Sequence, residues 1–308
     1  MVDSPAVHAF LTGHLGRIEG LQPVGHGEWS TAFYFTHAER ELVVRFSAID
    51  DDFRKDQRVR NLAEKSLPVP RIIEVGQAFD GYYAISERAR GTFLEERDAA
   101  AMMRVLPSLL TTLDVIRTTN VDDSGGFGLW RGADGCAPHA TWREALLSIA
   151  TRPPSPRLPG WREALSHSRL AQHAFDIGYA AMQPLVVACP NNRQLLHSDL
   201  LYFNVLVEND VVNAVLDWGS SMYGDFLWDL AWITFWQPWY TAWSSLDIRR
   251  AAREHYAATG LHVPDFEARL RCYELAIGLD GLAYQAFAGK AEDLEWTAAH
   301  VERLASAG

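Results

Sequence analysis

Cysteine is scarce in this chain of 308 residues. Its three cysteines, Cys136, Cys189 and Cys272, lie far apart and form no C-x-x-C pair. An odd number of widely separated cysteines argues against a disulfide framework and against a zinc site. We therefore expect neither of these stabilising devices.

Positive charge is also in short supply. The chain has 28 lysines and arginines against 39 acidic residues, which gives a formal net charge of −11. Binding to nucleic-acid phosphates needs a basic surface, so we expect no nucleic-acid partner. The acidity could attract a polycationic substrate, although most of it is explained by solubility alone.

Long hydrophobic runs are missing as well. No apolar run approaches the roughly 20 residues that span a bilayer, and the aromatic stretch 228–243 is broken by Asp229, Gln237 and Pro238. The opening residues 1–5 lack the basic start and apolar core of a signal peptide. We therefore expect a cytoplasmic protein without a membrane partner.

The patterns that are present predict an α+β fold with two lobes, for which the chain is long enough. Strand patterns cover residues 21–24, 32–36, 42–46, 72–75 and 82–87, and helix patterns cover 6–17 and 53–65. Later helix patterns, interrupted only by a hairpin at 205–217, cover 98–118, 141–150, 162–188, 226–236, 245–259, 265–288 and 291–305. We expect a nucleotide-binding lobe, residues 1–89, with a small antiparallel β-sheet and one helix. Residues 90–308 would form a larger, mainly helical catalytic and substrate-binding lobe.

The densest set of polar candidates lies between His197 and Asp217. Asn204 follows Asp199 by five residues and Asp217 follows it by eighteen. Apolar arms on either side of the Asn209-Asp210 turn predict a β-hairpin, which brings Asn204 and Asp217 together. Phosphoryl transfer needs an Asp to orient and deprotonate a hydroxyl, and an Asn and a second Asp to hold Mg²⁺. The spacing therefore indicates a phosphotransferase.

Other interpretations of these residues exist. Each one alone is commonplace, since Asp and Asn favour turns and caps. A metal-dependent hydrolase could use His197, Asp199 and Asp217, but no second His falls at a ligand spacing from them. A catalytically silent nucleotide-binding module would have no chemical need for all three catalytic-site residues.

With this motif, the chain resembles the aminoglycoside phosphotransferase family of the protein-kinase-like superfamily, and most of all its hygromycin B branch. Further islands of similarity occur in the family's order, at residues 53–56, 67–70, 124–128, 141–143, 215–218, 222–225, 235–239 and 277–280. Residues 219–221 lack an acidic residue expected from the hygromycin enzymes, and Asp229 stands where they carry Glu.

The resemblance implies a bilobal protein-kinase-like fold and assigns roles within it. Asp199 would be the catalytic base, and Asn204 and Asp217 would be the Mg²⁺ ligands. Asp229 would brace the backbone of the catalytic loop from the following helix. His197 is expected to pack and hydrogen-bond within that loop.

The nucleotide is expected to meet the loop between the first two strands and the junction of the lobes. Glycines in this loop would let backbone N–H groups approach phosphate, and two hydroxyls could add hydrogen bonds, although such a loop can also be a simple turn. At the junction, backbone groups would form hydrogen bonds with the adenine or guanine base. Side chains there therefore do not distinguish ATP from GTP. The candidates are Gly25, Gly27, Ser30 and Thr31 in the loop and Glu87 and Ala89 at the junction.

Arg45 occupies the strand position where kinases usually carry a phosphate-binding Lys, and the hygromycin branch resembles this chain in having Arg there. A guanidinium binds phosphate well, although an edge-strand Arg could simply snorkel to the surface. Its acidic partner would be Asp56 or Glu64.

An aminoglycoside pocket should present carboxylates to ammonium groups and aromatic faces to sugar rings. The candidates are Asp225, Trp236, Trp239 and Asp280. Asp225 could equally cap the helix that begins near Phe226, the tryptophans could belong to the core, and a neighbouring Arg could satisfy Asp280. We expect a monomer that phosphorylates a small cationic antibiotic, with a macrolide, choline or homoserine as alternative acceptors.

Overall fold

The computed structural model describes residues 2–24, 29–62, 67–153, 155 and 157–307. Within these ranges it contains ten α-helices, which are Ser4–Leu15 (α1), Asp51–Leu62 (α2), Ala99–Thr118 (α3), Trp142–Leu147 (α4), Trp161–His167 (α5), Arg169–Leu185 (α6), Leu227–Trp236 (α7), Ile248–Ala258 (α8), Phe266–Ala288 (α9) and Ala291–Ser306 (α10). The same residues form eleven strands, which are Glu19–Val24 (β1), Thr31–His37 (β2), Arg40–Ser47 (β3), Ile72–Ala78 (β4), Gly81–Glu87 (β5), Thr92–Phe93 (β6), Gly128–Leu129 (β7), Gln194–Leu196 (β8), Val205–Glu208 (β9), Val211–Val215 (β10) and Met222–Gly224 (β11). The predicted α+β class is confirmed.

The chain divides into two compact units. Unit 1 contains Met1–Ser124, Arg131–Cys136 and Asp199–Ser221, and unit 2 contains Gly125–Trp130, Ala137–Ser198 and Met222–Gly308. The units differ in extent from the predicted lobes, residues 1–89 and 90–308, and that division stays a prediction. The segment from Asp199 to Asp217 lies wholly within unit 1.

A five-stranded antiparallel sheet, in the order β1-β2-β3-β5-β4, forms the main sheet of unit 1. Side chains alternate between the two faces of a strand. Leu42, Val44 and Phe46 of β3 are buried in one apolar cluster with Val7 and Leu11 of α1. Arg45 therefore projects from the other face of the sheet.

The predicted hairpin is confirmed as the antiparallel pair β9–β10, with Val205 opposite Val215. Its turn residues Asn209 and Asp210 both have left-handed φ angles, 50° and 61°. Two consecutive positive φ angles match the right-handed twist of the strands, and Asn and Asp tolerate them. The hairpin is extended by β6, which pairs with β9.

Unit 2 shows where the sequence patterns failed. The strands β7, β11 and β8 form a small antiparallel sheet, so the prediction that only the hairpin interrupts the helical part is wrong. These strands have two or three residues, too few to show a period of two. The predicted helix 162–188 is also interrupted, because Ser168 ends α5 and caps α6 by accepting a hydrogen bond from Ala171 N at 3.2 Å.

Among the described residues one helix, α3, is long and apolar enough to cross a membrane, with a mean hydropathy of 1.4. The expectation that no apolar run approaches that length overlooked it. Half of its apolar window is buried within the protein, and its Arg104 pairs with Asp210 of the hairpin turn at 2.8 Å. A single half-buried helix of this kind does not by itself indicate a membrane span.

Candidate active site

The predicted catalytic loop, residues 197–204, contains a hydrogen bond from the side chain of its last residue. Asn204 is buried, and its Nδ2 donates to the backbone oxygen of Asp199 at 2.8 Å. Ser198, Tyr202 and Phe203 all have left-handed φ angles, 65°, 62° and 69°, which are uncommon outside glycine. The loop therefore fixes Asp199, which is half-buried, against Asn204.

Asn204 and Asp217 lie at the same, open end of the hairpin. Leu216 N donates to Asn204 O at 2.8 Å, which ties the residue before Asp217 to Asn204. Asp217 has a left-handed φ of 56° and an exposed side chain, and its Oδ1 accepts a hydrogen bond from Gly219 N at 3.3 Å. The hairpin thus brings the two predicted metal ligands together within unit 1.

The chemistry of this pair fits Mg²⁺. Because Asn204 Nδ2 is bonded to Asp199 O, the amide oxygen is the Asn204 atom that remains for a cation. Amide and carboxylate oxygens are hard ligands of the kind Mg²⁺ prefers. In the described part of the chain no group of three or more His, Cys, Asp or Glu residues could hold a metal ion. Two protein ligands, supplemented by phosphate oxygens and water, are the usual way in which Mg²⁺ binds with a nucleotide.

Arg45 projects from the main sheet of unit 1 and forms an ion pair with Asp56 of α2. Asp56 Oδ1 also accepts a hydrogen bond from Trp218 N at 2.9 Å, so one carboxylate connects Arg45 to the residue after Asp217. Burial acts to lower the pKa of Arg45, but the charges of Asp56, Asp217 and Asp52 outweigh it and hold that pKa above its ordinary value. Arg45 is therefore a permanent cation. The alternative partner, Glu64, lies outside the described residues.

Two further residues of this region were missed by the sequence analysis. Lys55 of α2 is buried, and its Nζ donates to Gly219 O at 2.8 Å. Gly219 is packed so closely against α2 that a Cβ there would lie 2.7 Å from Asp52 Oδ1. The sequence signal was the position of Lys55 beside Asp56, but nothing in a sequence says that a lysine is buried.

Asp229 supports the start of the catalytic loop within unit 2. Its Oδ2 accepts a hydrogen bond from His197 N at 2.9 Å, and its Oδ1 accepts one from Ser198 N at 2.8 Å. Trp228 Nε1 donates to Ser198 Oγ at 2.9 Å. Burial raises the pKa of Asp229 to about 7, and the two N–H groups act in the opposite direction. The two residues that precede Asp199, of which His197 is fully buried, are therefore fixed to α7.

The predicted substrate residues separate into interior and surface positions. Asp225 is fully buried, and Arg269 donates to both its oxygens, from Nη2 to Oδ1 at 2.7 Å and from Nε to Oδ2 at 2.9 Å. Tyr273 donates to it as well. Trp236 is buried and stacks on Trp296 with 5.7 Å between ring centroids. These contacts favour a structural role for Asp225 and Trp236, and we leave both out of the proposed ligand set.

Asp280 and Trp239 are the two predicted substrate residues near the surface. Asp280 is 40% exposed and pairs with Arg152 at 2.7 Å, which is the neighbouring Arg considered as its alternative partner. Trp239 is 38% exposed and packs edge-on against Trp296. Both remain predictions as ligand residues.

The predicted nucleotide residues are only partly described. Gly25 and Gly27 lie outside the described residues. Ser30 precedes β2, and Thr31 begins it opposite Phe46, so the loop enters the sheet one position from Arg45. Glu87 ends β5, where its N–H bonds Arg71 O at 3.0 Å, and Ala89 follows it. Their contacts with a nucleotide remain predictions.

Comparisons with known proteins give consistent results. A model of the phosphotransferase enzyme family matches residues 20–268. Hygromycin-B 4-O-kinase of Escherichia coli is 30% identical over 98% of this chain and 85% of its own length. The crystal structure of aminoglycoside phosphotransferase APH(4)-Ia matches with a TM-score of 0.85 and 27% identity, over 99% of this chain and 100% of that one.

A second solved structure carries ligands. It is a thermostable mutant of APH(4)-Ia in a ternary complex with AMP-PNP and hygromycin B, and it matches with a TM-score of 0.84 and 28% identity. The match covers 98% of this chain and 99% of that one. Agreement over nearly the whole of both chains shows a shared fold, so the predicted kinase-like fold is confirmed.

Proposed function

This chain belongs to the phosphotransferase enzyme family, and from that premise we propose that it transfers the γ-phosphoryl group of a nucleoside triphosphate to a hydroxyl group of an aminoglycoside. The predicted resemblance to the aminoglycoside phosphotransferases is confirmed by the relatives, which include a hygromycin-B kinase and a structure holding AMP-PNP and hygromycin B. Hygromycin B is accordingly the first acceptor to test, and antibiotic resistance is the expected phenotype.

One observation carries the proposal more than any other. The bonds from Asn204 Nδ2 to Asp199 O and from Leu216 N to Asn204 O join the catalytic loop and both strands of the hairpin at one place. An Asp, an Asn and a second Asp in this arrangement supply a proton acceptor and two oxygen ligands, which are the protein groups that phosphoryl transfer requires.

The proposed roles follow from this arrangement. Asp199 accepts the proton of the attacking hydroxyl and orients it toward the γ-phosphate. Asn204 and Asp217 would hold Mg²⁺, which when bound neutralises charge on the phosphate oxygens. Arg45, held by Asp56, adds a second positive charge that can bind phosphate. Asp229 keeps the backbone before Asp199 in place.

The remaining parts of the proposal concern cofactor and partners. We propose ATP or GTP with Mg²⁺ as cofactors and a small cationic antibiotic as the partner of a monomeric, cytoplasmic enzyme. Neither nucleic acid nor a membrane is proposed as a partner. The net charge of −11 supports a cationic acceptor, because an acidic field accelerates encounter with a cation. Trp239 and Asp280 are the proposed substrate contacts.

The test is direct phosphorylation by the purified protein. Hygromycin B, kanamycin, a macrolide, choline and homoserine are each incubated with ATP or GTP and Mg²⁺, and phosphorylated products are identified by mass spectrometry and ³¹P NMR. We expect phosphorylated hygromycin B from the wild type and none from D199N. Phosphorylation of choline or homoserine instead would keep the kinase and replace the acceptor. Phosphate release that needs no alcohol would point to a hydrolase and contradict the proposal.

A further inference from the structure

Lys55 is a lysine whose charge is buried. It lies in α2 with 1% of its side chain exposed. Moving an ammonium group out of water is costly unless polar partners replace the water. Lys55 Nζ donates to Gly219 O at 2.8 Å and lies 3.6 Å from Asp51 Oδ2. The buried ammonium group thus ties the Gly219 carbonyl, 164 positions along the chain, directly to α2.

The carbonyl belongs to the short turn that follows Asp217. Helix α2 contacts this turn through three side chains: Asp56 accepts from Trp218 N at 2.9 Å, Lys55 donates to Gly219 O, and Asp52 packs against Gly219. Both an N–H and a C=O group of the turn are therefore bonded to α2. All of these residues lie in unit 1.

Asp217 depends on this turn for its conformation. Its φ of 56° is left-handed, a conformation that Asp tolerates but that is less stable than the common ones, so contacts with the surroundings help to maintain it. Its Oδ1 accepts from Gly219 N, on the residue whose carbonyl receives Lys55. Displacement of Gly219 would therefore move the carboxylate as well as the backbone.

We propose that Lys55 is a positioning residue for the magnesium ligand Asp217. It holds the Gly219 carbonyl against α2 and thereby keeps the carboxylate of Asp217 in the orientation that binds the metal–nucleotide complex. This inference rests on the proposed function and adds a residue to it. Removing a group that orients a metal ligand without binding the metal itself typically lowers metal affinity or activity by about 10- to 100-fold.

The variant that tests this is Lys55→Met. Methionine is flexible and of similar length, so it fills the space, but it has no donor and leaves the buried Gly219 carbonyl without that partner. The matched control is Lys290→Met, because Lys290 also donates a hydrogen bond, to Tyr284 Oη at 2.9 Å, and lies in unit 2. Lys55→Gln keeps a donor without the charge and serves if the methionine variant does not fold.

Two measurements do not depend on turnover. Electron paramagnetic resonance measures the affinity of Mn²⁺ in the presence of ADP, with Mn²⁺ in place of Mg²⁺. Hydrogen exchange followed by mass spectrometry reports the amides of residues 217–221. In K55M we expect Mn²⁺ affinity to fall about 10-fold or more and exchange to accelerate in this segment. In K290M both quantities should stay within about twofold of wild type.

Steady-state kinetics complete the test. We expect K55M to need more Mg²⁺ for half-maximal rate and to lose kcat, while the KM for hygromycin B is unchanged. A role in stability alone would lower the melting temperature and leave the Mn²⁺ affinity of the folded protein at the wild-type value, and that result would overturn the inference. Absence of Mn²⁺–ADP binding by the wild type would instead overturn the proposed function, and this inference with it.

Discussion

The buried carboxylate of Asp229 gives a prediction about stability and pH. Burial raises its folded-state pKa to about 7 from an ordinary value of 3.8. Between these values the unfolded chain has lost the proton while the folded protein keeps it, so stability falls as the pH rises. The contribution is fully present below about pH 4, is lost progressively up to about pH 7, and is then constant.

The magnitude follows from the size of the pKa shift. Each pH unit in that interval costs about 1.4 kcal/mol. Between pH 5 and pH 8 stability changes only up to the folded-state pKa, which is an interval of about two pH units. The free energy of unfolding therefore falls by about 3 kcal/mol. The side chain is almost fully buried, so solvent screening reduces this little.

The assay is urea unfolding of wild type and D229N at several pH values from 5 to 8. Asparagine cannot titrate and cannot accept from both His197 N and Ser198 N, so D229N starts less stable by about 1–3 kcal/mol. From pH 5 to pH 8 we expect the stability of wild type relative to D229N to fall by about 3 kcal/mol, which makes the two about equally stable or reverses their order. Asp80→Asn is the control, because Asp80 is exposed between β4 and β5.

The opposite trend would refute this reasoning. A difference that is constant or grows with pH would mean that the two backbone N–H groups outweigh burial, and that Asp229 is ionised across the whole range. Its bonds to the loop would then be charge-assisted. Such a result would leave the contacts unchanged and reverse the sign of their pH dependence.

Three further predictions concern single side chains. Asp199→Asn should lower kcat by about 10²–10⁴ at an unchanged melting temperature and unchanged Mn²⁺–ADP affinity; a rate near that of wild type would remove Asp199 as the base. Asp217→Ala should raise the Mg²⁺ concentration needed for half-maximal rate, and an unaltered Mg²⁺ titration would argue against its role as a ligand. Asp225→Asn should cost about 3–5 kcal/mol in urea unfolding, because it leaves Arg269 as a buried charge without its carboxylate. A rise in the KM for hygromycin B with no loss of stability would return Asp225 to the substrate site.

The hairpin shows what a sequence can predict. Its turn pair Asn209-Asp210 and its apolar arms are local signals, so the position of Asn204 and Asp217 at one end followed from chain order alone. The strand that contains Arg45 was likewise predictable, because apolar and polar residues alternate over its whole length. In both cases the information lies within a few neighbouring residues.

The contacts that sequence reasoning missed depend on residues far apart in the chain. Lys55 and Gly219 are separated by 164 positions, and the burial of a lysine is decided by packing that no local pattern records. For Asp225 the sequence left a ligand role and a helix cap open, because its partner Arg269 is 44 positions away and no local pattern predicts that contact. The strands β7, β8 and β11 are too short to show a period, and their pairing is a property of the folded chain.

The hydrogen bond from the Asn204 side chain to Asp199 O limits which residues can occupy position 204. Its Nδ2 donates to the main-chain oxygen of Asp199, and in the proposed function its amide oxygen binds the metal. One small side chain must therefore supply both a donor and an acceptor. Aspartate at position 204 would attract a cation more strongly, but its carboxylate oxygen would replace the donor Nδ2 and repel the backbone oxygen of Asp199. Under the proposed function, a neutral carboxamide would join the loop at Asp199 to the metal site, and replacing Asn204 by an acid should loosen the loop even as it adds charge.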